Sequence, residues 1–120
     1  MIEIIREFIT KPGAGGRFEL AFGPGGVWSR LFAGSTGFRG TTVLRDEADP
    51  RRYMTFDLWD SEVDHEQALA EQEEAYAAVI AGIDEWVASK QDLGTFRTLN
   101  RATVRPRPKA RGRRAGRDSR

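Results

Sequence analysis

At 120 residues, with 39% apolar and 31% charged side chains, the sequence has the size and make-up of one soluble globular domain, which excludes collagen-like, wholly disordered and membrane-embedded classes. It contains no cysteine, and that removes disulfide frameworks, Cys-ligated zinc, iron–sulfur clusters and thiol catalysis together. The formal charge of +1 joins two unlike parts: residues 1–100 hold ten Lys/Arg against seventeen Asp/Glu, and residues 101–120 hold nine against one.

The first residues carry Glu3, Arg6 and Glu7 where a signal peptide would have its apolar stretch, and no apolar run approaches the roughly 18 residues of a membrane span. A cytoplasmic protein away from membranes is therefore expected. Ile2, Ile4 and Phe8 share one parity and Ile5 and Ile9 the other, which predicts a strand over 2–10 with apolar contacts on both faces, ended by Lys11-Pro12-Gly13. Phe18 and Phe22 lie four apart; after Gly23-Pro24-Gly25-Gly26 come Val27, Trp28, Leu31 and Phe32 at helical spacing. This predicts a helix from Gly15, a turn, and a short second helix stopping near Gly34. The glycine-rich turn lacks the Lys and the strand-then-helix context of a phosphate loop, so no nucleotide site is expected.

Phe38–Asp46 and Arg52–Asp60 read as a hairpin about the turn Asp46-Glu47-Ala48-Asp49-Pro50. Tyr53, Thr55, Asp57 and Trp59 then share one face, and Met54, Phe56 and Leu58 the other. Ser61-Glu62-Val63-Asp64 has the form of a helix start. The main helix follows, with Leu69, Tyr76, Val79, Ile80, Ile83, Trp86 and Val87 on one stripe and a bend at Gly82. Leu93–Leu99 reads as a last strand. Beyond it, residues 101–120 have no apolar side chain larger than alanine after Val104, which predicts a basic, disordered tail following a folded domain over 1–100. With no aromatics to stack on bases, the tail is expected to be solvated and to interact with its own acidic domain; nucleic acid is not the favoured partner.

The order strand, helix, strand, strand, helix, strand is that of the split βαβ, ferredoxin-like α+β arrangement, with helices on one face of an antiparallel sheet. The other face, with Met54, Phe56 and Leu58, would be left in water, so two subunits are expected to pack sheet to sheet as a homodimer.

Site candidates concentrate on the inward face of the third strand. Trp59, Tyr53 and Thr55 offer an aromatic wall and hydroxyls there, with core packing as the alternative role for Trp59. Asp57, a carboxylate in mid-strand, is expected either to act as a base with a raised pKa or to pair with Arg6 or Arg39, the pair being favoured. His65, the one histidine, is a candidate general base that equally suits a solvated helix start. Tyr76 and Trp28 are candidate substrate contacts, and no transition-metal site is expected from a single histidine without cysteines.

Several stretches are similar, in order and spacing, to the antibiotic biosynthesis monooxygenase domain, a branch of the dimeric α+β barrels: Phe8-Ile9-Thr10-Lys11-Pro12-Gly13 with Phe18-Glu19 soon after, Gly37-Phe38-Arg39-Gly40-Thr41, Leu44-Arg45-Asp46, Asp49-Pro50-Arg51-Arg52-Tyr53, and Phe56-Asp57-Leu58-Trp59-Asp60-Ser61 with His65 six residues after Trp59. The resemblance runs over about residues 2–99. It implies a pocket in each subunit between sheet and helices, near Trp59. It further implies oxidation by O2, without flavin, metal or haem, of an aromatic, polyketide-like or quinol substrate. A non-catalytic dimeric barrel that binds a small hydrophobic ligand or a protein partner is the alternative. Haem-degrading relatives carry an Asn on the first strand and a His within the main helix, where this chain has Arg6 and Leu69, so haem degradation is not expected. The Asn that some quinone-forming members place before the Trp is also absent, Thr55 being the nearest polar residue on that face.

Overall fold

The computed structural model describes residues 1–99, and the basic segment over 101–120 lies outside the described residues. Eight elements follow one another: β1 (Ile2–Thr10), α1 (Gly15–Phe22), α2 (Val27–Phe32), β2 (Phe38–Arg45), β3 (Arg52–Trp59), α3 (Glu62–Glu71), α4 (Glu73–Asp84) and β4 (Val87–Arg97). The strands form one antiparallel sheet in the order β2-β3-β1-β4. This is the ferredoxin-like α+β arrangement that the element order predicts. No helix among the described residues is long and apolar enough to cross a membrane.

Alternation along the two central strands decides what is covered. Ile2, Ile4, Phe8 and Thr10 of β1, and Tyr53, Thr55, Asp57 and Trp59 of β3, are buried beneath the helices. Their neighbours on the opposite parity, Ile5 and Ile9 of β1 and Met54, Phe56 and Leu58 of β3, are only half-buried, with Leu44 and Phe96 exposed at the sheet's flanks. Between sheet and helices the core is largely aromatic. The Phe18 ring centroid lies 5.1 Å from that of Phe8, 4.8 Å from Phe22 and 4.6 Å from Tyr53, and Phe22 passes the contact on to Trp28 at 5.1 Å. Such tilted pairs add to what the burial of each ring already contributes. The α1–α2 turn is glycine by necessity, since a Cβ on Gly26 would collide with the Leu20 and Ala21 carbonyl oxygens.

Two boundaries differ from the sequence expectation. The expected single main helix is two helices, broken at Gln72, and the second continues as helix past Gly82 to Asp84. Gln72 leaves helical geometry (φ −120°, ψ 28°), and its side-chain amide donates to the Leu31 carbonyl at the end of α2. A glycine weakens a helix without obliging it to bend, whereas that long-range hydrogen bond has no local sequence signature. The second difference is the last strand, which begins at Val87, not Leu93, so that Trp86 and Val87 leave the helix stripe. Lys11 N–H donates to the Trp86 carbonyl at 2.8 Å, and backbone pairing with β1 carries the strand onward. Ala88–Asp92 is polar and exposed because β4 is an edge strand, so apolar alternation never marks it. At the start of α3, Ser61 behaves as the helix-start reading expects: its hydroxyl accepts from the Asp64 N–H at 3.1 Å.

Candidate functional site

On the sheet's inward face the polar exceptions are Arg6 and Thr10 in β1 and Thr55 and Asp57 in mid-β3. Asp57 is 2% exposed, yet its carboxylate is fully engaged. Oδ2 accepts from Arg6 Nη1 at 3.0 Å, while Oδ1 accepts from Trp28 Nε1 at 2.8 Å and from Thr41 Oγ1 at 2.6 Å. Of the two roles expected for it, the structure therefore builds the ion pair, with Arg6 as partner; Arg39 pairs with Asp60 instead, at 2.8 Å. Three donors from β1, α2 and β2 converge on one buried charge, which satisfies it without surrounding water.

Arg6 in turn faces a cavity of about 340 Å³ between sheet and helices, within the size range of small-molecule pockets. Its guanidinium carbon lies 5.8 Å from the Trp28 ring centre, and its side chain keeps 17% exposure. Phe8, Phe22, Trp28, Ile80 and Ile83 form the apolar wall. Tyr76 stands at the same wall, 5.9 Å from Trp28 between ring centroids. Asp84 of α4 and Lys90, Gln91 and Asp92 of β4 complete the lining, with Asp84 and Lys90 ion-paired at 2.8 Å. The arrangement is a hydrophobic chamber with one fixed cation inside and a mixed-charge rim, suited to a flat apolar molecule with an acidic or oxygen-bearing end.

Of the residues the sequence singles out, Trp28 and Tyr76 line this cavity and Asp57 lies directly behind two of its lining residues. Trp59, Tyr53, Thr55 and His65 are not among the lining side chains. Trp59 is packed against Phe32, Phe38 and His65, at 5.3, 5.1 and 5.1 Å between ring centroids. Burial holds the His65 imidazole below its ordinary pKa, and the nearby Arg6 charge pushes the same way. Tyr53 donates its hydroxyl to Glu19 Oε2 at 2.6 Å, and burial, then that bond, raises its pKa. The Thr55 hydroxyl is fully buried with no partner among the described residues. Among the described residues no three His, Cys, Asp or Glu side chains gather as a metal site. Sequence reasoning named Arg6 only as a possible partner of Asp57 and missed the β4 rim. A lone arginine on the apolar parity of β1 was the available signal for the first, and nothing local signalled the second.

The family model for antibiotic biosynthesis monooxygenases matches residues 1–82. The chain belongs to this family. Among solved structures, SnoaB, a cofactor-independent oxygenase from Streptomyces nogalater, is 20% identical, over 83% of this chain and 94% of that one, with a TM-score of 0.66. A protein from Deinococcus radiodurans of the antibiotic biosynthesis monooxygenase type is 10% identical over 88% of this chain and 100% of that one, with a TM-score of 0.69. One of the same type from Chloroflexus aurantiacus is 16% identical over 86% and 97% respectively, with a TM-score of 0.65. At these identities the likeness is one of fold. No curated protein matches. Arg6, Trp28, Asp57 and Tyr76 lie inside the segment that marks this antibiotic biosynthesis monooxygenase family member, whereas Asp84, Lys90, Gln91 and Asp92 lie beyond it.

Proposed function

We propose that the chain is a cofactor-independent monooxygenase that uses O2 to oxidise an aromatic, polyketide-like or quinol substrate held in the Arg6–Trp28 cavity. The single observation that carries this reading is an apolar, aromatic-walled chamber with one partly buried guanidinium locked in place by Asp57. Oxidation without a cofactor needs little from the protein beyond ionising the substrate and stabilising the anion. For an activated methylene flanked by aromatic rings, loss of a proton leaves a delocalised anion, which passes one electron to O2. The substrate radical and superoxide combine to a peroxide, and loss of water leaves a ketone. One oxygen atom thus ends in product and the other in water, with the methylene carbon as the only source of electrons.

Residue roles follow from position. Trp28 and Tyr76 contact the substrate. Asp57 is a positioning residue, because both its oxygens are committed to holding Arg6, Trp28 and Thr41. Trp59, with His65 against it, packs at the C-terminal end of β3, and Tyr53, bonded to Glu19, at its N-terminal end. The half-buried face of Ile5, Ile9, Met54, Phe56 and Leu58 supports a sheet-to-sheet homodimer, since a contiguous apolar patch of that kind is costly to leave in water.

The test is oxygen consumption by the purified full chain, without added metal or flavin, with a panel of anthrones and hydroquinones. Uptake above the uncatalysed rate that falls at least tenfold in Trp28→Ala, with the fold intact by circular dichroism, is the expected result. Tight binding of the same compounds with no uptake would replace this reading by that of a ligand-binding barrel.

A further inference from the structure

The pairing of β1 with β4 is irregular at one place, and that place is the cavity. From Ile2↔Arg97 through Ile5↔Gly94 the register advances one residue for one, but Arg6 is paired with Asp92, so one residue of β4 is skipped. Had the ladder stayed regular, Leu93 would stand opposite Arg6, and Gln91 would follow it on the inward parity. The bulge reverses the phase: Asp92 now stands opposite Arg6 and Lys90 opposite Phe8, both bordering the cavity with Gln91 between them, and Leu93 drops out of the ladder. Gly94 makes the irregularity possible with φ +121°, a backbone region that side-chain-bearing residues avoid. Its N–H donates to Asp92 Oδ1 at 2.9 Å, which fixes the carboxylate and leaves Oδ2 without a partner among the described residues.

The charges around the cavity then sort into pairs with one left over. Arg6 of β1 is paired with Asp57 of β3 at 3.0 Å, and Lys90 of β4 with Asp84 of α4 at 2.8 Å. Tyr76 is the remaining titratable side chain of the lining, and His65 of α3 stands outside it against Trp59. Asp92 is the one lining carboxylate without an ion-pair partner among the described residues. A substrate that arrived already anionic would face that net negative charge. A neutral acid that gave its proton to Asp92 would cancel the charge and leave its own negative charge beside Arg6, whose ion pair uses only one of the five guanidinium N–H groups.

Resting on the oxygenase reading above, we infer that Asp92 is the proton acceptor of this cavity and Arg6 the group that receives the resulting anion, so that the substrate enters as a neutral phenol or enolisable ketone and is ionised inside. In that step the substrate's O–H or C–H bond breaks, its proton forms a bond to Asp92 Oδ2, and the electron pair stays on the substrate, delocalised onto the oxygen that faces Arg6. No oxidant takes part in it.

Proton abstraction can therefore be followed without oxygen, as anaerobic exchange of an anthrone's acidic C–H hydrogens with deuterated water, read by NMR on the full chain. The native protein should accelerate exchange, Asp92→Asn should lower that acceleration about 100-fold or more, and added formate should restore it to Asp92→Gly, which a merely structural role would not allow. A hydroxyanthraquinone dye, coloured differently as phenol and phenolate, tests Arg6: bound to native protein it should ionise about one to three pH units lower than when free, and Arg6→Met should abolish that shift. Asp92→Asn should move the dye's ionisation further down, because a neighbouring negative charge is gone, even as exchange slows. Exchange in Asp92→Asn within threefold of native, no acceleration by the native protein, or a dye shift unchanged in Arg6→Met would each overturn the inference. Asp92-dependent exchange together with no oxygen uptake would uphold the inference and refute the oxygenase reading.

Discussion

Replacing Asp57 by asparagine keeps the shape of the side chain and removes the charge on which Arg6, Trp28 and Thr41 converge. The amide has one acceptor where the carboxylate has two, and its NH2 is turned toward one of three donors. Breaking a buried ion pair from one side costs about 3–5 kcal/mol. Arg6 retains 17% exposure and borders a cavity that water can enter, which offsets part of that penalty, so a loss of about 2–4 kcal/mol is expected. For a domain of this size that corresponds to a fall in Tm of roughly 10–20 °C. Urea denaturation followed by circular dichroism measures it directly. Arg6→Met in the Asp57→Asn background should cost much less than Arg6→Met alone, a coupling of about 2 kcal/mol or more, because the second change removes a charge already stranded. A loss below about 1 kcal/mol in Asp57→Asn, or additive losses in the double variant, would refute the reasoning that the carboxylate is what holds Arg6 in place.

His65 is held below its ordinary pKa of about 6.5 first by burial and then by Arg6, so between the folded value and 6.5 the unfolded chain binds more protons than the folded one. Stability should therefore fall as pH drops from about 6.5 toward the lower folded value and level off below it, and His65→Gln should flatten that slope in urea melts taken across the window. Tyr53→Phe deletes the hydroxyl that donates to Glu19 and should cost about 1 kcal/mol by the same melts, Glu19 being partly exposed. An unchanged midpoint would mean that the bond contributes nothing. Phe56→Glu places a charge at the centre of the half-buried sheet face; it should convert a dimer into a monomer in sedimentation velocity at micromolar concentration, and a dimer that persists would place the interface elsewhere.

How much of this was legible in the sequence varied with how local the cause was. The β2–β3 hairpin, the paired short helices and the inward face of Tyr53, Thr55, Asp57 and Trp59 follow from period and turn chemistry, which neighbouring residues carry. The preference for Asp57 as an ion-pair member followed from the cost of a bare charge in mid-strand, and its partner Arg6 stands at the same parity of the adjacent strand. What was not legible depended on distant contacts. The break at Gln72 reflects an amide reaching Leu31. The start of β4 reflects backbone pairing along an edge that no apolar pattern marks. Trp59 and Trp28 are alike in sequence terms, each an aromatic on a core-facing element, yet only Trp28 borders the cavity, a difference set by how α2 lies across the sheet. Asp92 stands opposite Arg6 only because the strand is bulged, and a single glycine in a polar stretch does not announce a change of phase.

The most direct test of a cofactor-independent monooxygenase is the oxygen balance of turnover by the native chain, freed of metal and flavin, with an anthrone that it consumes. The account predicts one O2 used per quinone formed, no hydrogen peroxide released, and loss of the reaction in Trp28→Ala and Arg6→Met. Consumption no faster than in buffer, or peroxide released in step with the oxygen used, would contradict it.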